Sequence, residues 1–395
     1  MISERYKQML GQKSVIRALS EAAGERALKV GTENVFDFSL GNPSVPPPPR
    51  FTEVMIRLLQ EKDPMTLHGY SPTLGIPAVK EKIAASLNRR FGMGYEGAHI
   101  FPTSAAAAAL AHALRAVTKE GDEVLTIAPF FPEYTPYVQL AGATLKVVPA
   151  DKEQFQIDFA AFEAMLTEKV AAVLINSPNN PSGAVYSAAT LTRLAEILRL
   201  KSREFAHDIF LISDEPYREI VFDGGVQPYV SAFYENTISC YSFSKALSLP
   251  GERIGYLAVN PACPNAVEIV NMCGQISRGI GHNCPTSLLQ LAVVEVLEET
   301  SDFSVYEKNR NLLYESLREL RLEVCKPTGT FYIFPKAPEA DAVAFSKKAL
   351  EYNLVLVPGD TFGCPGYFRM AYCIDTEKVE RSLPVLRRFM LEVYG

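Results

Sequence analysis

Three apolar runs in this chain end on side chains suited to chemistry. The run 171–175 leads into Asn176-Ser177-Pro178-Asn179-Asn180-Pro181-Ser182-Gly183, the run 209–212 into Ser213-Asp214-Glu215-Pro216-Tyr217, and the run 237–241 into Ser242-Phe243-Ser244-Lys245. Lys245 brings an amine, which can condense with a carbonyl. Asp214 brings a carboxylate, and Tyr217 and Asn180 bring hydrogen-bonding groups that can hold or tune what the amine captures. Taken singly, each has a plainer reading. Asp214 would cap a helix or a turn, 180–183 would be an ordinary turn, and Lys245 would be a solvated surface charge. Purely structural loops would not need the combination.

The elements that must position these groups follow from the apolar pattern. The runs 123–127, 171–175 and 209–212 are apolar without alternation, which predicts strands buried on both faces. With strands at 144–148 and 237–241, they alternate with helical stretches at 76–91, 104–118, 131–141, 158–166 and 188–200. That pattern predicts an α/β sheet with right-handed crossovers, and in such a sheet ligands bind beyond the carboxyl ends of the strands.

Upstream, Val15, Ile16, Leu19, Ala22 and Ala23 recur at helical spacing and predict a helix over 14–29. A short strand is expected at 35–40, then a rigid connector from Pro43 to Pro49. Beyond about 285 the texture changes to helices at 285–299 and 302–321 and short strands near 322–325 and 330–334. A helix at 341–351, two short strands and a closing helix at 376–393 follow. The expected fold class is α/β: a large domain with a mostly parallel mixed sheet flanked by helices, plus a smaller α+β domain. The expected boundaries are 1–45 for the small domain's N-terminal segment, 46–285 for the large domain and 286–395 for the rest of the small domain.

Composition narrows the function. A chain of 395 residues is long enough for two or three domains with a cleft between them. A net charge of −6 leaves no basic stripe for nucleic acid. No stretch approaches the ~18 to 20 apolar residues that span a bilayer, and the charged start, Met1-Ile2-Ser3-Glu4-Arg5, has no apolar signal core. We therefore expect a cytoplasmic protein with no membrane partner. Seven Cys without a C-x-x-C pair, and five His without H-E-x-x-H, argue against a disulfide framework and a metal site.

In order and spacing, Asn180-Pro181-Ser182-Gly183, Asp214-x-x-Tyr217, Ser242-x-x-Lys245 and Arg253 resemble the pyridoxal phosphate (PLP)-dependent aminotransferases of fold type I, class I/II, the aspartate aminotransferase superfamily. The resemblance covers nearly the whole chain and implies an aminotransferase moving an amino group between an L-amino acid and a 2-oxo acid. It implies that Lys245 forms a Schiff base with the cofactor aldehyde and then moves a proton between Cα and C4′. Asp214 would pair with the pyridine nitrogen and keep the ring an electron sink. Asn180 and Tyr217 would hydrogen-bond the ring O3′, and Phe131 would stack on the ring.

For the phosphate, the resemblance implies the backbone of Ala105, Ala106 and Ala107 at a helix start, with Ser242, Ser244 and Arg253. Ala105 stands where the family usually has Gly, and no hydroxyl follows at 106–108. Tyr70 matches a tyrosine that reaches the neighbouring subunit's phosphate, which implies a homodimer with composite sites. Arg369 would hold the substrate α-carboxylate, with Gly41 and Asn42 in a loop over the substrate. Arg278 resembles an arginine that reaches into the partner's site for a second carboxylate. Its plainer reading is a local pairing at a helix end.

Two other readings stand beside this one. Fold type I C–S β-lyases share these residues. Ser242-x-x-Lys245 also fits an S-x-x-K serine hydrolase, but Ser177-Pro178-Asn179 precedes it, the reverse of that family's order, and Pro327 separates Lys326 from Thr328-Gly329. The residues alone leave the amino donor and the acceptor open.

Overall fold

Twelve strands form among the described residues: β1 (Phe36–Asp37), β2 (Ile100–Thr103), β3 (Glu123–Ile127), β4 (Thr144–Val148), β5 (Val170–Asn176), β6 (Phe210–Asp214), β7 (Thr237–Ser242), β8 (Gly255–Val259), β9 (Tyr332–Ile333), β10 (Leu354–Val355), β11 (Val357–Pro358) and β12 (Phe368–Ala371). The structure, a computed structural model, describes residues 2–10 and 14–395. Seven strands build one sheet in the order β2-β8-β7-β6-β5-β3-β4, in which β8 alone runs against the others.

The two faces of this sheet bury alternate residues. Val124, Ala172, Leu174 and Ile212 pack with the helices Ala105–Val117 and Ala266–Gly279. Leu125, Val173, Ile175 and Leu211 pack with Phe159–Met165 and Ala188–Phe205. Burial on both sides is why these strands read as unbroken apolar runs.

The rest of the chain makes a second core. β1 pairs in parallel with β10, and β11, β12 and β9 form an antiparallel sheet. Phe36 and Phe38 of the N-terminal segment pack there with Leu313, Phe345 and Phe389 of the helices Ser304–Glu319, Ala342–Glu351 and Thr376–Tyr394.

Several expectations need correction. The strand at 35–40 shrinks to two paired residues, because its only partner, β10, is that short. Residues 322–325 form no strand, and the helix expected over 285–299 is Ser287–Val293. Pro49 opens a helix, Pro49–Glu61, rather than ending a connector; the first helical turn tolerates proline because its N–H has no partner there anyway. β2 was not expected, and its Pro102 is accommodated on an edge strand. Among the described residues, no helix is long and apolar enough to cross a membrane, and no group of acidic, His and Cys side chains is arranged to hold a metal.

Candidate active site

Sheet register brings the first two strand ends together. Asn176 lies opposite Asp214, and Asp214 opposite Cys240. The Asn176 amide donates to the Asp214 backbone oxygen at 2.8 Å, and its Oδ1 accepts from the Asn180 N–H at 2.7 Å. Asn176 thus ties the end of β5 both to the carboxylate strand and to the Asn180 turn.

The Asp214 carboxylate is buried. Its Oδ2 accepts from the Tyr134 hydroxyl at 2.6 Å, while Oδ1 has no partner. Burial lifts its pKa to about 7, opposed by the Tyr134 hydrogen bond and reinforced by the charge of Glu215. A buried carboxylate with one free oxygen is short of a cationic or N–H partner.

Lys245 lies in the short helix Phe243–Ala246, directly after β7. The Ser242 hydroxyl caps that turn by accepting from the Ser244 N–H at 3.1 Å. Lys245 Nζ donates to the Gly41 oxygen at 2.6 Å. Burial pulls its pKa down to about 8; nearby Cys373 opposes this, and the charges of Arg253 and Arg369 reinforce it. An amine in that range has a usable neutral fraction near pH 7. A Cβ at Gly41 would collide with the hydroxyl of the buried Tyr332, so the close approach of this backbone to Tyr332 favours glycine.

Arg369, on β12, is 1% exposed. One Nη donates to Asn180 Oδ1 at 3.0 Å, another to the Ser39 oxygen, and Nε has no partner. The guanidinium lies over the rings of Tyr332 and Phe362, 4.5 and 4.9 Å from their centroids. Tyr217 and Tyr332 share a hydroxyl hydrogen bond of 3.1 Å.

Ala105, Ala106 and Ala107 open the helix Ala105–Val117 and share a cavity of about 430 Å³ with Ser242, Ser244 and Arg253. Phe131, Asn180, Asp214, Tyr217, Lys245, Gly41 and Arg369 line the same cavity. Ala105 has a φ of 66°, the left-handed region where glycine is at ease. Its turn presses on Gly255, where a Cβ would come 3.0 Å from the Ala105 Cα. Ala105→Gly should therefore raise the unfolding free energy by about 0.5 to 1 kcal/mol, strain relief exceeding the added chain entropy. Denaturant midpoints of the two proteins check this.

Three expected residues stand apart. Asn42 is exposed and does not line the cavity. Tyr70 is fully exposed, and the Arg278 guanidinium rests on Gln275 Oε1 of its own helix at 3.1 Å. The sequence reading missed Asn176, Tyr134, Tyr137 and Tyr332, and at the rim Ser14, Ile16, Arg17 and Glu133. Asn176 had a signal, as the last residue of a buried strand; Tyr134 opens the helix Tyr134–Leu140, three residues after Phe131.

The residues present fit PLP: a free carboxylate oxygen for a ring nitrogen, backbone N–H groups and an arginine for a phosphate, and an amine with lowered pKa. The family model for aminotransferase class I and II matches residues 33–386. The chain belongs to that family. This aminotransferase is 43% identical to an aminotransferase from Eubacterium rectale of solved structure, with a TM-score of 0.97 and complete coverage of both chains. It is 30% identical to a probable aspartate aminotransferase from Methanocaldococcus jannaschii, over 98% of this chain and 99% of the relative. It is also 30% identical to aromatic-amino-acid aminotransferase 2 from Thermococcus litoralis, over 92% of this chain and 94% of the relative. The aminotransferase is a PLP-dependent enzyme of the α/β fold type I class, and this reading stands over the lyase and hydrolase alternatives.

Proposed function

We propose that this aminotransferase works through Lys245 as its proton carrier, Asp214 as partner of the cofactor's ring nitrogen and Arg369 as holder of the substrate α-carboxylate. The observation that carries this is Arg369: a fully buried guanidinium with no ion-paired carboxylate among the described residues, in one cavity with Lys245 and the free oxygen of Asp214. An unpaired buried charge costs several kcal/mol, and a substrate carboxylate relieves that cost. Bound PLP supplies an aldehyde that captures amino groups and a ring that withdraws electrons. Asn180, already on Arg369, would turn its amide N–H₂ to the ring oxygen or the carboxylate. Tyr217 would donate its hydroxyl to the same ring oxygen. Ala105, Ala106 and Ala107 would give backbone N–H groups to the phosphate, with Ser242, Ser244 and Arg253, and Phe131 would cover the ring. Lys245 Nζ, once released, would take the substrate Cα proton and deliver it to C4′ of the cofactor, two atoms along.

We further propose a homodimer in the cytoplasm, divided at 1–45, 46–285 and 286–395, in which Tyr70 and Arg278 serve the neighbouring subunit's site. Full exposure of Tyr70, with Met65 beside it, supports a contact beyond this chain. Light scattering should give twice the chain mass. If Tyr70→Ala is inactive, mixing it with Lys245→Ala should return part of the activity, because some hybrids hold one intact site.

The test of the reaction is direct. Single amino acids added to the loaded enzyme should convert PLP to pyridoxamine phosphate, with the matching 2-oxo acid as product. Release of ammonia and pyruvate without that conversion would mark a lyase instead. The relatives' names make aspartate and aromatic amino acids the first donors to try.

A further inference from the structure

We infer that Arg17 selects substrates with a second, side-chain carboxylate; the inference rests on the proposed function above. Among the described residues, four cationic side chains line the cavity: Lys245, Arg253, Arg369 and Arg17. The first three have work in the proposed reaction. Arg17 has none, and no carboxylate among the described residues forms an ion pair with it.

Its position is fixed by packing rather than by chance exposure. Arg17 stands in the first turn of the helix Val15–Val30, whose cap residue Ser14 and neighbour Ile16 also line the cavity. Ile16 packs on the apolar cluster that contains Phe362. Phe362 is the ring beneath the Arg369 guanidinium, 4.9 Å away. The helix is thus anchored to the same cluster that supports the α-carboxylate arginine, and Arg17 sits at the rim above it.

The cavity therefore offers two guanidiniums of different character. Arg369 is buried and tethered by Asn180 and Ser39, fit to hold the one group every amino acid shares. Arg17 is exposed on a flexible side chain without an ion pair among the described residues, fit to meet a group that only some substrates carry. Glu133 lies on the same rim and sharpens the choice. Without Arg17 it would repel a dicarboxylate, while a neutral side chain would feel little of either charge.

The test compares wild type, Arg17→Ala, Arg17→Lys and Arg278→Ala in single half-reactions with aspartate and with alanine. Arg17→Ala should lower the ratio of kcat/KM for aspartate to that for alanine by about ten- to a hundredfold, the range for a charge-assisted contact at a partly solvated site. Arg17→Lys should recover part of it. Calorimetry supplies a readout without turnover: maleate should bind Arg17→Ala more weakly by a similar factor, and propionate should not. Equal losses for both amino acids would assign Arg17 to phosphate or structure and overturn the inference. So would an unmoved ratio, or a ratio that moves in Arg278→Ala alone. A wild type that converts alanine but not aspartate rejects the inference and keeps the proposed function; one that converts no amino acid rejects the function itself.

Discussion

Lys245→Ala should still bind PLP but lose turnover by roughly ten-thousandfold or more, about 5.5 kcal/mol of barrier. Among the described residues the amine is the only lysine nitrogen lining the cavity, and it is held by its hydrogen bond to the Gly41 oxygen. The cradle of backbone N–H groups, Ser242, Ser244 and Arg253 is untouched by the substitution, so cofactor affinity should fall far less than rate. Borohydride treatment of loaded wild type, followed by peptide mapping, should find the pyridoxyl group on Lys245. A label on another lysine would remove Lys245 from its role.

Asp214→Asn should lower kcat by about a thousandfold, ~4 kcal/mol, while the fold survives because the amide keeps the shape and can still accept from Tyr134. The loss arises because an amide cannot hold a proton on the ring nitrogen as a carboxylate does. A variant with near-normal kcat would reduce Asp214 to a turn residue. The same change has a second signature in the cofactor-free protein. There the Asp214 pKa stands at about 7 against an ordinary 3.8. The folded state then binds a proton more tightly than the unfolded chain does. That contribution is complete below about pH 4 and is lost as pH rises through about 7. Urea midpoints of the apoprotein should accordingly fall across this window, and Asp214→Asn should flatten the fall.

What the sequence disclosed depended on how local its cause was. β5, Val-Ala-Ala-Val-Leu-Ile-Asn, was legible because burial on both faces leaves no room for polar residues until the strand emerges at Asn176. Asp214, Ser242 and Lys245 stand at such emergence points and were legible for the same reason. Arg369 was legible only through the family motif; on its own residues it is an arginine on a short strand, and only the packing of Tyr332 and Phe362 buries it. Arg17, on its own residues, is a polar position of an amphipathic helix. What makes it a cavity residue is the docking of Ile16 against residues more than three hundred positions away.

The pairing of β1 with β10 joins segments more than three hundred residues apart. On the ribosome, the first forty residues emerge long before Leu354 exists to receive them, and closing so long a loop is entropically costly and slow. The sheet that carries Asn176, Asp214 and Lys245 is complete by Val259. A nascent chain therefore builds its chemical groups first and acquires Gly41, Arg369 and the Arg17 rim only when synthesis is nearly finished. Until then the half-made chain holds the Lys245 amine without Gly41 and Arg369 packed beside it, so the cavity is completed as the last event of biogenesis.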